Sequence, residues 1–421
     1  MDSQKNENLL NLALQTPEEE RERSLELNVG FDEQEETWEV IVKYHGSLQK
    51  LTEWNIRVEE MIAGYAILTV PESEMNRLAQ VEEIEYVEKP KRLFFSDMAG
   101  NTASCYAPGS QISRELTGRG VLVAVIDSGI SYYNRDFCNA DGTTRILYLW
   151  DQVLDMEFNA EQINEALGTG SRTLAMQLVP SIDTTGHGTA VAGIAAGNGG
   201  DRGAVYAGMA RESGLLIVRL GTPRENEFPR TTELMRALTY VVKKAVDLRM
   251  PVAINLSFGN TYGAHNGTSL LERFIDNVSE IGRTVICVGS GNEGASGGHV
   301  GGSARLERSG NYKLTNMVNA NGTSVTDGDI RVEMIVGAYE RGLNVQLWKE
   351  YTDRFLVTLV SPFGETFQVD TDRPGKQIYR LQQTLILLYN GEPAPYMTPQ
   401  EIYFDFLPVT GERYLNQGVW T

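Results

Sequence analysis

The chain has 421 residues, enough for two or three domains, and its 41% hydrophobic and 22% charged content is that of a globular protein. A net charge of -19 excludes a phosphate-backbone binder, because such a surface repels polyanions. Three scattered cysteines, Cys105, Cys138 and Cys287, form no C-x-x-C pair and no zinc spacing, which fits a reducing compartment. Cys287, in the apolar run VICVG, reads as a small core residue.

The first segment, MDSQKNENLLNLALQTPEEERERS, is polar and Glu-rich, frayed or helical. It has no basic n-region and no uninterrupted apolar stretch, so neither a secretion signal nor a membrane span is read, and a place inside the cell is expected. TWEVIVKY then reads as a strand, SLQKLTEW as a helix, MIAGYAILTV as a strand, SEMNRLAQV as a helix and EEIEYVEKP as a short strand. The alternation predicts a ferredoxin-like α+β unit over residues 1–99. KRLFFSDMAGNTASCYAPGS follows as an extended linker.

Residues 100–304 alternate β-branched runs (GVLVAVID, LLIVRLG, PVAINLSFG, RTVICVG) with helices. In TTELMRALTYVVKKAVDL, residues Leu234, Leu238, Val241, Val242 and Ala245 share one helical stripe. This is the pattern of a doubly wound α/β domain whose parallel strands are covered on both faces, with binding groups at their carboxyl ends. Over 305–421 the helical period disappears, and strands such as NVQLWKEY, QTLILLYN and EIYFDFLP predict an antiparallel sandwich or jelly roll.

Polar groups capable of chemistry stand where the α/β strands end. Asp127 closes VLVAVID, a strand-end cap or a charge held for a purpose. His187 lies in DTTGHGTAVAG, with glycines on both sides that leave an imidazole accessible and small residues that let a helix approach the sheet. GSGNEG, residues 289–294, matches a dinucleotide fingerprint in letters, but glycine-rich coil follows where a helix is needed. An asparagine amide at a strand end, Asn292, is instead a donor suited to an oxyanion.

VIDSGI, GHGTAVAG, INLSFG and VGSGNEG, in this order, resemble the successive motifs of subtilisin-like serine proteases. The resemblance covers residues from about 117 to 300. It implies that Asp127 orients the imidazole, that His187 moves the nucleophile's proton, and that Asn292 donates to the oxyanion. It also implies that Ser257, Phe258 and Gly259 pair with substrate as an added strand, and that Gly289, Ser290 and Gly291 line a substrate pocket. The N-terminal unit is then similar to a propeptide whose tail occupies the active-site cleft. The missing secretion signal and the β-rich insertion most resemble the clostridial germination proteases, which process a precursor of a spore-cortex hydrolase. Family members often carry structural Ca²⁺, but no acidic loop here has EF-hand spacing. No metal or other cofactor is expected from the residues themselves.

The family's nucleophile sits in G-T-S-x-A-x-P, and neither Gly-Thr-Ser triplet fits. Ser269 precedes Asn292 and opens S-x-x-E before Leu270, Phe274 and Val278, which predicts a capping box. Ser324 continues into VTDGD and reads as a polar turn. The expectation is a serine endopeptidase whose nucleophile lies beyond Thr421. The rivals are a pseudoprotease that binds a protein partner and a lectin-like β module carrying a vestigial α/β domain.

Overall fold

The computed structural model describes residues 4–95, 116–200, 206–222, 228–292, 297–306, 312–318, 323–326, 329–354 and 356–421. Cys105 and the rest of the expected linker beyond Phe95 lie outside them up to residue 115.

The N-terminal unit opens with helix α1 (Asn8–Gln15). Its main strands are β1 (Thr37–Tyr44), β2 (Arg57–Glu60), β3 (Tyr65–Pro71) and β4 (Ile84–Glu88). They pair antiparallel in the order β4-β1-β3-β2, the ferredoxin-like order. β2 was not foreseen: its residues RVEE are mostly exposed, so no alternation betrays it. The expected helices are short, a 3-10 turn at Gln49–Trp54 and helix α2 (Met75–Leu78). A two-residue strand β5 (Phe94–Phe95) ends the described part of this unit.

The α/β unit is a six-stranded sheet of β6 (Leu122–Asp127), β7 (Ile146–Asp151), β8 (Met156–Asn159), β9 (Gly214–Arg219), β10 (Val252–Leu256) and an edge strand, Thr284–Val288. In space the edge strand lies beside β10, followed by β6, β9, β7 and β8. All pairs are parallel except β7 with β8. The period-two geometry of β6 divides its side chains between two cores. Leu122, Ala124 and Ile126 join a cluster with Leu234, Leu238, Val241, Val242 and Ala245, all on helix α4 (Thr231–Asp247) as the stripe predicted. Val123 and Val125 pack on the opposite face with Ala192 and Ala196 of helix α3 (His187–Ala196).

The edge strand departs from expectation. Cys287 is exposed, not a core residue, and Val285 and Val288 are 59% and 55% exposed. The apolar run is that of a covered strand, yet the described residues supply neither a further strand nor a layer over its outer face.

The last region is β-rich, as read. A four-stranded antiparallel sheet runs in the order Leu343–Glu350, Pro399–Pro408, Thr384–Asn390, Gly375–Arg380. Shorter ladders pack against it through Val336, Leu359, Val369 and Trp420. Ser324 sits in a strand opposite Arg331, not in a turn. The three units share cores. Ile41, Tyr65 and Ile67 of the N-terminal sheet join the α4 cluster. Its other face joins Leu9, Leu10 and Leu12 of α1 to Leu385, Leu387, Tyr403 and Leu407 of the β-rich sheet.

Candidate active site

The carboxyl ends of three adjacent strands define the site. Register pairs Ile126 with Leu256 and Leu256 with Val288, so Asp127, Ser257 and Gly289 follow one another across the sheet. Asp127 is fully buried, and its Oδ1 accepts from His187 Nδ1 at 2.7 Å and from the Ser128 amide at 2.7 Å. Its Oδ2 is buried with no hydrogen-bond partner among the described residues. Burial raises the Asp127 carboxyl above the usual aspartate range, opposed by the His187 hydrogen bond.

His187 reaches that carboxylate because its helix starts against the strand end. Gly186, at φ +78°, turns the chain into α3. At Gly188 a Cβ would fall 2.2 Å from the Gly129 carbonyl and 3.1 Å from Asp127 Cβ, so only glycine permits the approach. The far end of α3 is also held, since buried Arg145 donates to the Ala196 carbonyl, and to that of Asp136 at 2.9 Å.

A second carboxylate, Asp183, was missed. Its Oδ1 accepts from Ser128 Oγ at 2.7 Å and the Gly186 amide at 2.9 Å. Its Oδ2 accepts from the Thr189 amide at 2.8 Å and Thr189 Oγ1 at 2.6 Å. Burial pushes the Asp183 carboxyl up, but these four bonds, chiefly those from Thr189 and Ser128, outweigh it and hold the group below its ordinary value. The signal was present: an aspartate shortly before a helix start is a capping pattern.

The segment Ser257-Phe258-Gly259 carries strand β11 (Phe258–Gly259), which pairs antiparallel with β5, Phe258 opposite Phe95 and Gly259 opposite Phe94. On its other side the same tail bonds the entry to α4. The Thr231 amide donates to the Lys91 carbonyl at 2.9 Å, and the Leu93 amide to the Pro229 carbonyl at 2.7 Å. The end of the N-terminal unit is thus threaded between two segments of the α/β unit, as an added strand. Gly289 lies beside Ser257, its amide donating to the Leu256 carbonyl at 2.9 Å. Ser290, Gly291 and Asn292 continue, exposed, beyond the edge strand.

Ser269 is apart from this cluster. It caps helix α5 (Leu270–Ser279), accepting from the Glu272 amide at 3.3 Å while Glu272 accepts the Ser269 amide at 2.9 Å. No group of His, Cys, Asp and Glu among the described residues is arranged to hold a metal.

Comparison with known proteins agrees with this architecture. The subtilase family model matches residues 118–385, well over half of the chain, and the chain belongs to that family. It therefore has the subtilisin-like α/β fold, preceded by a propeptide unit and carrying an additional β-rich region. More particularly, residues 4–91 match the Csp protease B prodomain. Among solved structures, the CspB protease of Clostridium perfringens aligns with a TM-score of 0.62 and 28% identity, over 73% of this chain and 59% of that one. Fervidolysin of Fervidobacterium pennivorans, a keratinolytic enzyme related to subtilisin, aligns at 16% identity and TM-score 0.39, over 70% and 47%. Comparison with curated proteins gives no match.

Proposed function

We propose that the protein is a serine endopeptidase that uses Asp127 and His187 as two members of an Asp-His-Ser triad. The observation that carries the reading is the 2.7 Å bond between Asp127 Oδ1 and His187 Nδ1 at the carboxyl edge of a parallel sheet. With Nδ1 donating to the carboxylate, Nε2 is the basic nitrogen that removes the nucleophile's proton and returns it to the leaving amine. Burial strengthens the carboxylate's hold on the imidazolium formed in that step. Asn292 donates to the tetrahedral oxyanion, and Gly289, Ser290 and Gly291 line the pocket next to the scissile bond. Substrate lies along Ser257-Phe258-Gly259 where the propeptide tail now lies.

The nucleophile is proposed to come from residues outside these 421. The exposed flank of Val285 and Val288, together with Ile194, 72% exposed on α3, supports this, since a further layer would cover it. The chain also spans 59% of the CspB protease it matches. On the resemblance to the germination proteases, the proposed substrate is a spore-germination precursor, met inside the cell or spore.

The longest translated product of the open reading frame, treated with a fluorophosphonate probe, tests the reading. Labelling at a serine beyond Thr421 is expected, and His187→Ala should abolish it. A product without such labelling that still captures a protein partner would favour the second reading, a pseudoprotease. That reading draws on a cleft that holds a peptide strand in a sequence without the family's nucleophile pattern.

A further inference from the structure

We propose that Asp183 is a positioning residue for the Asp127–His187 pair, an inference that rests on the reading of that pair as catalytic. The carboxylate accepts bonds from both sides of the pair. Toward the strand it accepts from Ser128 Oγ, and Ser128 is the residue whose amide bonds Asp127 Oδ1. Toward the helix it accepts from the amides of Gly186 and Thr189, which bracket His187.

The secondary bonds close the arrangement. Ser128 Oγ accepts from the Gly188 amide at 2.9 Å and from Thr185 Oγ1 at 2.9 Å. Thr185 Oγ1 accepts from the His187 amide at 3.1 Å. Thr189 Oγ1, which donates to Asp183, accepts from the Ser131 amide at 2.9 Å. Residues 128–131 after β6 and residues 185–189 opening α3 are therefore fastened by a network in which the Asp183 carboxylate receives bonds from both segments.

Only a carboxylate fits this position. Hydroxyls of Ser128 and Thr189 and amides of Gly186 and Thr189 all point donors at it, so both oxygens must accept. An asparagine offers one acceptor and turns an NH₂ against two donors. A negative charge also suits the first turn of α3, where the backbone amides lack helical partners. The consequence is that the imidazole and the Asp127 carboxylate are held by backbone on both sides, the tolerance that proton transfer requires.

The test is Asp183→Asn in the whole protein, followed by two readouts. The first is the low-field proton resonance of the Asp127–His187 hydrogen bond, which needs no nucleophile. The second is the separation of kcat from KM on a peptide substrate. The resonance should shift or vanish, and kcat should fall on the order of 10²-fold with KM changed less than about twofold. Ser128→Ala and Thr189→Val, each removing part of the network, should show the same change if Asp183→Asn does not fold. Thr189→Ser, which keeps the hydroxyl, should restore the resonance. An unchanged resonance in folded Asp183→Asn, or equal behaviour of Thr189→Val and Thr189→Ser, overturns the proposal. If the resonance depends on Asp183 but the protein never labels or cleaves, positioning stands and the protease reading fails.

Discussion

Asp127 and His187 are 60 residues apart in sequence, and their side chains meet at 2.7 Å with the carboxylate fully buried. A charge-assisted bond in that setting fixes the tautomer and the plane of the ring together. On the proposed triad, Asp127→Asn should preserve the fold while lowering kcat of the complete protein by about 10⁴, the loss measured when a triad aspartate is replaced in this way. Rates at substrate saturation would check it, with circular dichroism to show that the fold persists.

Gly188→Ala should cost several kcal/mol, because the new methyl would have to displace the Gly129 carbonyl or Asp127, and neither belongs to a flexible side chain. Gly186→Ala meets open space and only the strain of a left-handed backbone, about 1 kcal/mol. Chemical denaturation of the two variants would separate a steric cause from a torsional one.

Ser269→Ala should lower stability by about 1 kcal/mol and leave fluorophosphonate labelling intact, as expected for a cap. Loss of labelling with an unchanged denaturation midpoint would contradict the assignment.

The N-terminal unit is clamped to α4 by Arg236, which bonds Glu39 at 3.0 Å and Glu59 at 2.8 Å. Arg236→Ala leaves the partly buried Glu39 without one of its cations, although Arg230 remains 3.5 Å away. Weakening by about 1–3 kcal/mol is expected. The rate at which a separately added N-terminal unit dissociates from the α/β unit would measure it.

Stability should fall between pH 4.5 and 7. Burial pushes Glu7 up to about 7 against the pull of Lys91, with Glu88 adding to the rise. Burial likewise pushes Asp405 up to about 7 against its Ser24 hydrogen bond, with Glu26 adding. In both cases the folded chain keeps a proton that the unfolded chain has released, so the contribution is full below the unfolded pKa and is lost as pH rises through about 7. Lys89 has the opposite sign. Burial brings its ammonium down to about 7 despite Glu26, so its contribution grows from 7 toward 10.5. Melting temperatures across this range should pass through a minimum near neutrality, and Glu7→Gln should flatten the acidic limb. A flat profile from pH 5 to 7 in the parent protein would contradict this.

Much of the architecture was legible because it rests on periodicity. The α4 stripe and the buried β6 run follow from spacing alone, and S-x-x-E located the α5 cap. The order of VIDSGI, GHGTAVAG and VGSGNEG pointed to the pair that the fold brings together. What failed to show depends on partners distant in sequence. The covering of Cys287 is a matter of what lies beside an edge strand, which an apolar run does not encode. At Asp183 the capping relation to Thr189, six residues on, is local and legible, whereas its bond to Ser128, 55 residues back, comes only with folding. The clamp of Arg236 on Glu39 and Glu59 spans two units, and single charges on helix and strand faces carry no period.

The pairing of Phe94 and Phe95 with Phe258 and Gly259 sets a concentration scale for the cleft. The tail is delivered by a unit already docked through shared cores, so its effective concentration at β11 is on the order of millimolar, as for a short tether. A free protein segment of micromolar affinity competes poorly against such a neighbour. On the proposed protease reading, whatever opens this cleft to a substrate must therefore act on the tether or the docking, and raising the amount of substrate is a weak lever.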